Sequence, residues 1–195
     1  MSFAFALLQN LIFISFICIF HASEYIISKK FHPESTNIHS LLVTLPFLFA
    51  FSFGLAEYWI EYYLYSEIKG SYKQAFIWIG LIMILFGLSI RICAEYTAGK
   101  AFTHYMATFK TNEHPLITTG IYSIFRHPGY FGMFVFSIGS QIFFTNPISS
   151  VVFTAVLWKF FSDRIKIEEK LLVQFFRSDY TNYRSKTPTW IPFID

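Results

Sequence analysis

Charge is scarce in this chain: only 14% of its 195 residues are Asp, Glu, Lys or Arg, about half the share of a water-soluble domain. That scarcity excludes an ordinary soluble fold, because too few charges remain to cover its surface. Cysteine is almost missing. Cys18 and Cys93 each sit inside an apolar run, which excludes a disulfide framework and a CxxC metal site. No alternating strand pattern occurs, and no Gly-x-Gly-x-x-Gly follows a strand, so a Rossmann-type nucleotide site is excluded. The net charge of +3 is mild, and the basic residues lack the aromatic interleaving of a nucleic-acid surface. His104 and His114 have no acidic or cysteine partners at ligand spacing, so no metal is expected.

What remains is apolar: 54% hydrophobic and 22% aromatic residues, with a mean hydropathy of +0.47. A hydrocarbon core about 30 Å thick takes about 20 residues of helix. Five runs approach that length: Phe3–Ile27, His39–Tyr63, Gln74–Ala94, Pro128–Thr145 and Pro147–Phe161. The first has neither the basic n-region nor the small-residue cleavage site of a secretory signal, so it is expected to stay as a span. The last two are short and joined only by Thr145-Asn146-Pro147, which predicts a tight helical hairpin. The expected fold is therefore an all-α integral membrane protein of about five transmembrane helices. It forms a single membrane domain, with N-terminal spans over 1–94 and a C-terminal region over 95–195 that holds an irregular connector, the hairpin and the last helix.

Lysine and arginine placement sets the orientation. Lys29 and Lys30 follow the first span, Arg91, Lys100 and Lys110 the third, and Lys159 through Lys186 the fifth, which puts these regions and the C-terminus in the cytosol. Two polar stretches lie on that side. The connector Glu95–His127 is too irregular for a span and too long for a turn. In Asp163–Lys186, Ile165, Leu172, Phe175, Phe176, Tyr180 and Tyr183 recur near helical spacing, opposed by Lys166, Glu169, Lys170 and Arg177. An amphipathic helix continuing the fifth span is predicted.

Two clusters carry chemistry. In Arg126-His127-Pro128-Gly129-Tyr130, Pro128 suits the first turn of a helix, whose free N–H groups and dipole favour an anion beside Arg126 and His127. The plainer reading has Pro128 merely starting a helix and Arg126 snorkelling to the headgroups. Further on, Arg164 and Glu168 share a helix face where the fifth span leaves the bilayer, either to meet a ligand together or as an ordinary surface pair.

These clusters, in their order and spacing, resemble the isoprenylcysteine carboxyl methyltransferase family. The resemblance runs from Arg91 to Ile194. It includes Thr97-Ala98-Gly99-Lys100-x-Phe102-x-His104, Leu116-Ile117-x-Thr119-Gly120-Ile121-Tyr122, Arg126-His127-Pro128-x-Tyr130-x-Gly132 and Ile138-Gly139-x-Gln141. It continues through Asn146-Pro147, Trp158-x-Phe160-Phe161-x-Asp163-Arg164-x-x-x-Glu168-Glu169, Phe175-Phe176-x-x-x-Tyr180 and Ile191-Pro192-Phe193-Ile194. Residues 1–90 match only as apolar spans.

The resemblance implies S-adenosylmethionine as methyl donor, S-adenosylhomocysteine as product, and the C-terminal carboxylate of a prenylated cysteine as acceptor. The partners it implies are CaaX-processed proteins such as small GTPases, together with membrane lipid, at the endoplasmic reticulum. Carried onto this sequence, His114, Pro115, Leu116, Ile117 and Tyr122 line the adenosine pocket, and His127, Pro128, Gly129 and Tyr130 hold the methionine portion. Glu168 takes the amino group, Arg164 is the catalytic and substrate-binding residue, and Arg126 supports the site. Ala107 stands where relatives carry a longer polar side chain, leaving only its backbone to serve the cofactor. Gly129 stands where serine is frequent. Two alternatives stay open: a lipid-amine methyltransferase, which has no use for Arg164, and a non-catalytic prenyl-protein scaffold.

Overall fold

The computed structural model describes residues 2–65, 73–103 and 115–194. Five α-helices organise them: α1 Phe3–Phe31, α2 Leu45–Tyr65, α3 Lys73–Ala98, α4 Pro128–Phe143 and α5 Pro147–Arg184. Short 3₁₀ turns at Ile38–Leu41, Gly99–Ala101 and Gly120–Ser123 complete the element order, and the described residues contain no strand. All three first helices are long and apolar enough to cross a membrane. The first and third run four residues past the expected ends, because Lys29, Lys30 and Glu95 continue their helices instead of breaking them.

The connector is more ordered at its start than its composition suggests. Gly99 takes φ +53 just after α3, the left-handed conformation that ends a helix without steric cost for glycine. A Cβ there would also meet the Phe31 ring at 3.2 Å.

Helices α3 and α4 pack backbone to backbone. A Cβ on Gly87 would fall 2.5 Å from the Phe136 nitrogen, and one on Gly132 would fall 2.7 Å from the Gly87 oxygen. Small residues make this approach possible, the device by which helices associate in a solvent as apolar as themselves. Gly80 and Gly139 extend the seam toward the far end of α4. Phe20 and Phe136 stack at 5.3 Å beside it, joining α1 to α4.

The hairpin forms as expected. α4 has sixteen residues, about 24 Å of helix, which falls short of the hydrocarbon thickness. Thr145 adopts φ +57 at the tip, and Pro147 opens α5. From α2, Glu57 caps that opening: its two carboxylate oxygens accept from Ile148 N at 2.7 Å and Ser149 N at 2.6 Å. A carboxylate at a helix N-terminus meets both the free N–H groups and the positive end of the dipole.

α5 continues past the apolar stretch as predicted, with one break. Arg177 has φ 49 and ψ −121 inside the helix. Tyr180 nevertheless donates to Glu169 at 2.7 Å. Eleven residues of straight helix would separate that pair by about 16 Å, so the break folds the last turns back. The tail then crosses α4 and α5, burying Ile191 and Ile194 against Phe134, Phe161 and Ile165. Trp158 fixes it by donating to the Pro192 oxygen at 2.7 Å.

Candidate active site

The start of α4 faces one turn of α5. Tyr130 lies in the first turn after Pro128, and its hydroxyl donates to Glu168 Oε2 at 2.6 Å while accepting from Arg164 Nε at 2.7 Å. The guanidinium carbon stands 5.4 Å from the Tyr130 ring centre. That ring is stacked between His127, at 5.6 Å, and Phe161, at 5.3 Å. Arg164 and Glu168 are thus linked through a tyrosine contributed by another helix, which sets them apart from an ordinary surface pair. The position of the hydroxyl is fixed from both sides.

Behind this triad, Glu169 gathers four side chains. It lies 2.9 Å from His127 Nε2, 2.9 Å from Arg126 Nε, 2.7 Å from the Tyr180 hydroxyl and 3.3 Å from Arg184 Nε. Burial would raise its carboxyl, but hydrogen bonds from His127 and Tyr180 and the Arg126 charge hold it below the usual carboxylate value. Burial and the same carboxylate push the Tyr180 hydroxyl far up, and burial pushes Tyr183 up to about 12 against the opposing Arg126 charge. Two expectations are corrected here. Glu169 belongs to the buried side of its helix, and Arg126, 6% exposed, turns inward instead of snorkelling. Arg126 Nη1 donates to the Arg184 and Thr187 oxygens, tying the C-terminal turn to the loop before α4.

A third cluster lies deeper. Arg91, on α3, donates from Nε and Nη2 to the Glu24 carboxylate of α1 at 2.8 and 3.1 Å. Its Nε is 2.7 Å from Glu95, and Nη1 donates to the Gly129 oxygen at 3.2 Å. Arg91, Glu24 and Glu95 are all at most 5% exposed. Arg91 therefore forms a buried ion pair that also holds the backbone of the Pro128–Tyr130 turn. The sequence signal was present, since a charge inside an apolar run must face the protein interior and find a partner.

One cavity of about 880 Å³ unites these elements. Its polar end is lined by Pro115, Leu116, Ile117, Tyr122, Arg126, His127, Pro128, Gly129, Tyr130, Arg164 and Glu168, all of them residues singled out from the sequence. Ala107 and His114, also singled out, lie outside the described residues, as does His104. Its other arm descends between α2 and α5 and is walled by Phe47, Phe51, Val152, Val156 and Phe160. Periodicity does not pair the two walls of that arm, because α2 and α5 lie far apart along the chain. The cavity's polar end presents the Glu168 carboxylate and the Arg164 guanidinium, joined through Tyr130, together with aromatic faces. Such a set suits a ligand bearing both charges.

Known proteins resemble this chain in sequence and fold. The sequence profile of the isoprenylcysteine carboxyl methyltransferase (ICMT) family matches residues 78–174. The chain is 39% identical over 188 residues to a probable protein-S-isoprenylcysteine O-methyltransferase of Oryza sativa subsp. japonica, covering 96% of this chain and 97% of that protein. It is 40% identical over 189 residues to the protein-S-isoprenylcysteine O-methyltransferase of Saccharomyces cerevisiae, covering 94% and 79%. The solved structure of a eukaryotic intramembrane Ras methyltransferase, ICMT, superposes with a TM-score of 0.87 at 35% identity, covering 92% of this chain and 64% of that one. The similarity thus extends through the N-terminal spans, beyond the motifs. A shared sequence over nearly the whole chain and a shared helical framework around one cavity make the conclusion plain: this chain belongs to the isoprenylcysteine carboxyl methyltransferase family.

Proposed function

We propose that the chain methylates the C-terminal carboxylate of a prenylated cysteine, with S-adenosylmethionine as donor. One observation carries this reading: the Arg164–Tyr130–Glu168 triad and the apolar arm between α2 and α5 belong to the same cavity. Only an acceptor with a charged head and a long apolar tail uses both ends.

The residues present fit the donor. Glu168 offers a carboxylate to an ammonium group, while Pro115, Leu116, Ile117 and Tyr122 offer an apolar and aromatic wall to adenosine. When bound, the donor supplies an electrophilic methyl group on a sulfonium. The protein's task is then light. A carboxylate is already ionised at neutral pH, so no general base is needed, only alignment, exclusion of water and charge neutralisation. Arg164 would hold that carboxylate in its planar fork, and Tyr130 would fix the Arg164 side chain. In this reading the donor would supply its methyl group to a carboxylate oxygen that Arg164 holds and orients, leaving the sulfur as a neutral thioether. The products are a methyl ester and S-adenosylhomocysteine.

The five helices are read as passes that bring the end of α3, the start of α4 and the second half of α5 to the cytosolic face. Donor and acceptor head arrive from that side, and the prenyl chain stays in the bilayer. The acceptors are CaaX-processed proteins, small GTPases among them, at the endoplasmic reticulum.

The test is an acceptor panel. Purified protein with radiolabelled S-adenosylmethionine should form base-labile ester on N-acetyl-S-farnesylcysteine and none on N-acetylcysteine. Label appearing instead on a lipid amine would replace this reading.

A further inference from the structure

We infer that a second pocket, at the C-terminal end of α5, binds the phosphate group of an anionic phospholipid. Of its wall residues only Arg126 also lines the main cavity, so the site stands whether or not the chain transfers a methyl group.

The pocket has a volume of about 420 Å³ and is walled by Arg126, Thr181, Arg184, Ser185, Lys186 and Thr187. Among the described residues no carboxylate lines it. Three cations share one carboxylate behind the wall: Glu169 lies 2.9 Å from Arg126 Nε and 3.3 Å from Arg184 Nε, and Lys186 has no ion-pair partner among the described residues. Positive charge is left over. Arg126 is 6% exposed, and its Nη2 is buried without a hydrogen-bond partner among the described residues. A buried donor left unpaired calls for an acceptor. Arg184 and Lys186 reach solvent and supply accessible donors in front of it. The carbonyls that end α5 would repel an anion, but Arg126 Nη1 already donates to the Arg184 and Thr187 oxygens. Guanidinium and ammonium groups around one hollow suit a phosphate.

An apolar rim beside the pocket marks that phosphate as a lipid's. Pro188 lines the pocket two residues before Trp190, and Ile124 stands two residues before Arg126. Trp190 Nε1 donates to the Ile124 oxygen at 2.9 Å, so the two stand together. Both are more than half exposed, and Phe193 is 97% exposed. Trp190 and Phe193 have φ 62 and φ 63, a region that bulky side chains rarely adopt. The tail therefore keeps two aromatic rings outward at a conformational cost, while Ile191 and Ile194 anchor it against Phe161 and Ile165. That is the level at which α5 leaves its apolar stretch, and tryptophan favours the membrane–water boundary. A phospholipid held by its phosphate can lay its acyl chains on this rim; a free anion gains nothing from it. Anionic lipids enrich the cytosolic leaflet, the face that lysine and arginine placement predicts for this end of α5.

The test titrates the purified full chain, in a neutral detergent, with dioctanoyl phosphatidic acid, dioctanoyl phosphatidylcholine and inorganic phosphate, and reads Kd by equilibrium binding. Phosphatidic acid should bind about tenfold tighter than either of the others. Lys186→Glu should weaken it by about tenfold or more and Arg184→Gln by about fivefold, as loss of interfacial charge does. Lys186 is exposed, so its reversal spares the fold. Lys29→Glu, on α1, changes net charge equally and should leave Kd within about threefold of wild type. Inorganic phosphate binding as tightly as phosphatidic acid overturns the lipid assignment, and phosphatidylcholine binding as tightly overturns recognition of the charge. Equal losses in Lys29→Glu and Lys186→Glu, or none in either pocket variant, overturn the site.

Discussion

The Nε of Arg164 donates to the Tyr130 hydroxyl at 2.7 Å, and the same hydroxyl donates onward to Glu168. A single phenol therefore bridges two opposite charges that stand one helical turn apart. Tyr130→Phe removes the bridge and keeps the ring in its stack. Hydrogen bonds to charged groups contribute about 1.5–3 kcal/mol, so kcat/KM should fall by about 10- to 150-fold with little change in thermal stability. Steady-state kinetics beside a melting curve check this.

The deep ion pair should matter more for folding than for chemistry. Arg91→Met leaves Glu24 and Glu95 buried without their cation, and removing one partner of such a pair costs about 3–5 kcal/mol. Glu24→Gln keeps a hydrogen-bond acceptor facing Arg91 and should cost less. Thermal unfolding in detergent would order the two variants, and equal losses would deny Arg91 its central place.

Contact between α3 and α4 tolerates no side chain at Gly87, where the clash is with backbone. Gly87→Ala should destabilise the protein by about 1–3 kcal/mol, the usual cost of overpacking. Gly54→Ala meets only the end of the Gln141 side chain and should cost less. Melting temperatures compared under one condition decide between them.

Glu169 gives the stability a pH dependence of known sign. Its carboxyl is held below the ordinary value in the folded protein, so its contribution is complete at neutral pH and fades as pH falls below the usual carboxylate range. The melting-temperature gap between wild type and Glu169→Gln should be widest near neutrality and narrow in acid. A gap that widened in acid would contradict the assignment.

Much of this site was legible because its parts are local. Arg126 to Tyr130 is a helix start, and Arg164 and Glu168 are one turn apart on one helix, so spacing brings each group together, and the family resemblance supplies their roles. The residues that escaped are those whose partners lie far along the chain. Glu24 meets Arg91 across 67 positions and Glu57 meets Ile148 across 91. Periodicity cannot pair such residues, although a carboxylate inside an apolar run announces that a partner exists. Glu169 was misplaced for another reason. The break at Arg177 folds Tyr180 and Arg184 back over it, and no proline or glycine at that position warns of the bend.

The division of labour between Arg164 and Glu168 is the core of this account, and paired measurements on Glu168→Ala and Arg164→Ala test it most directly. S-adenosylmethionine affinity by equilibrium binding, read beside turnover of N-acetyl-S-farnesylcysteine, should separate the two. Glu168→Ala should weaken cofactor binding, whereas Arg164→Ala should leave that affinity near wild type and depress turnover. Unchanged cofactor affinity in Glu168→Ala, or wild-type turnover in Arg164→Ala, would contradict the assignment of the two charges.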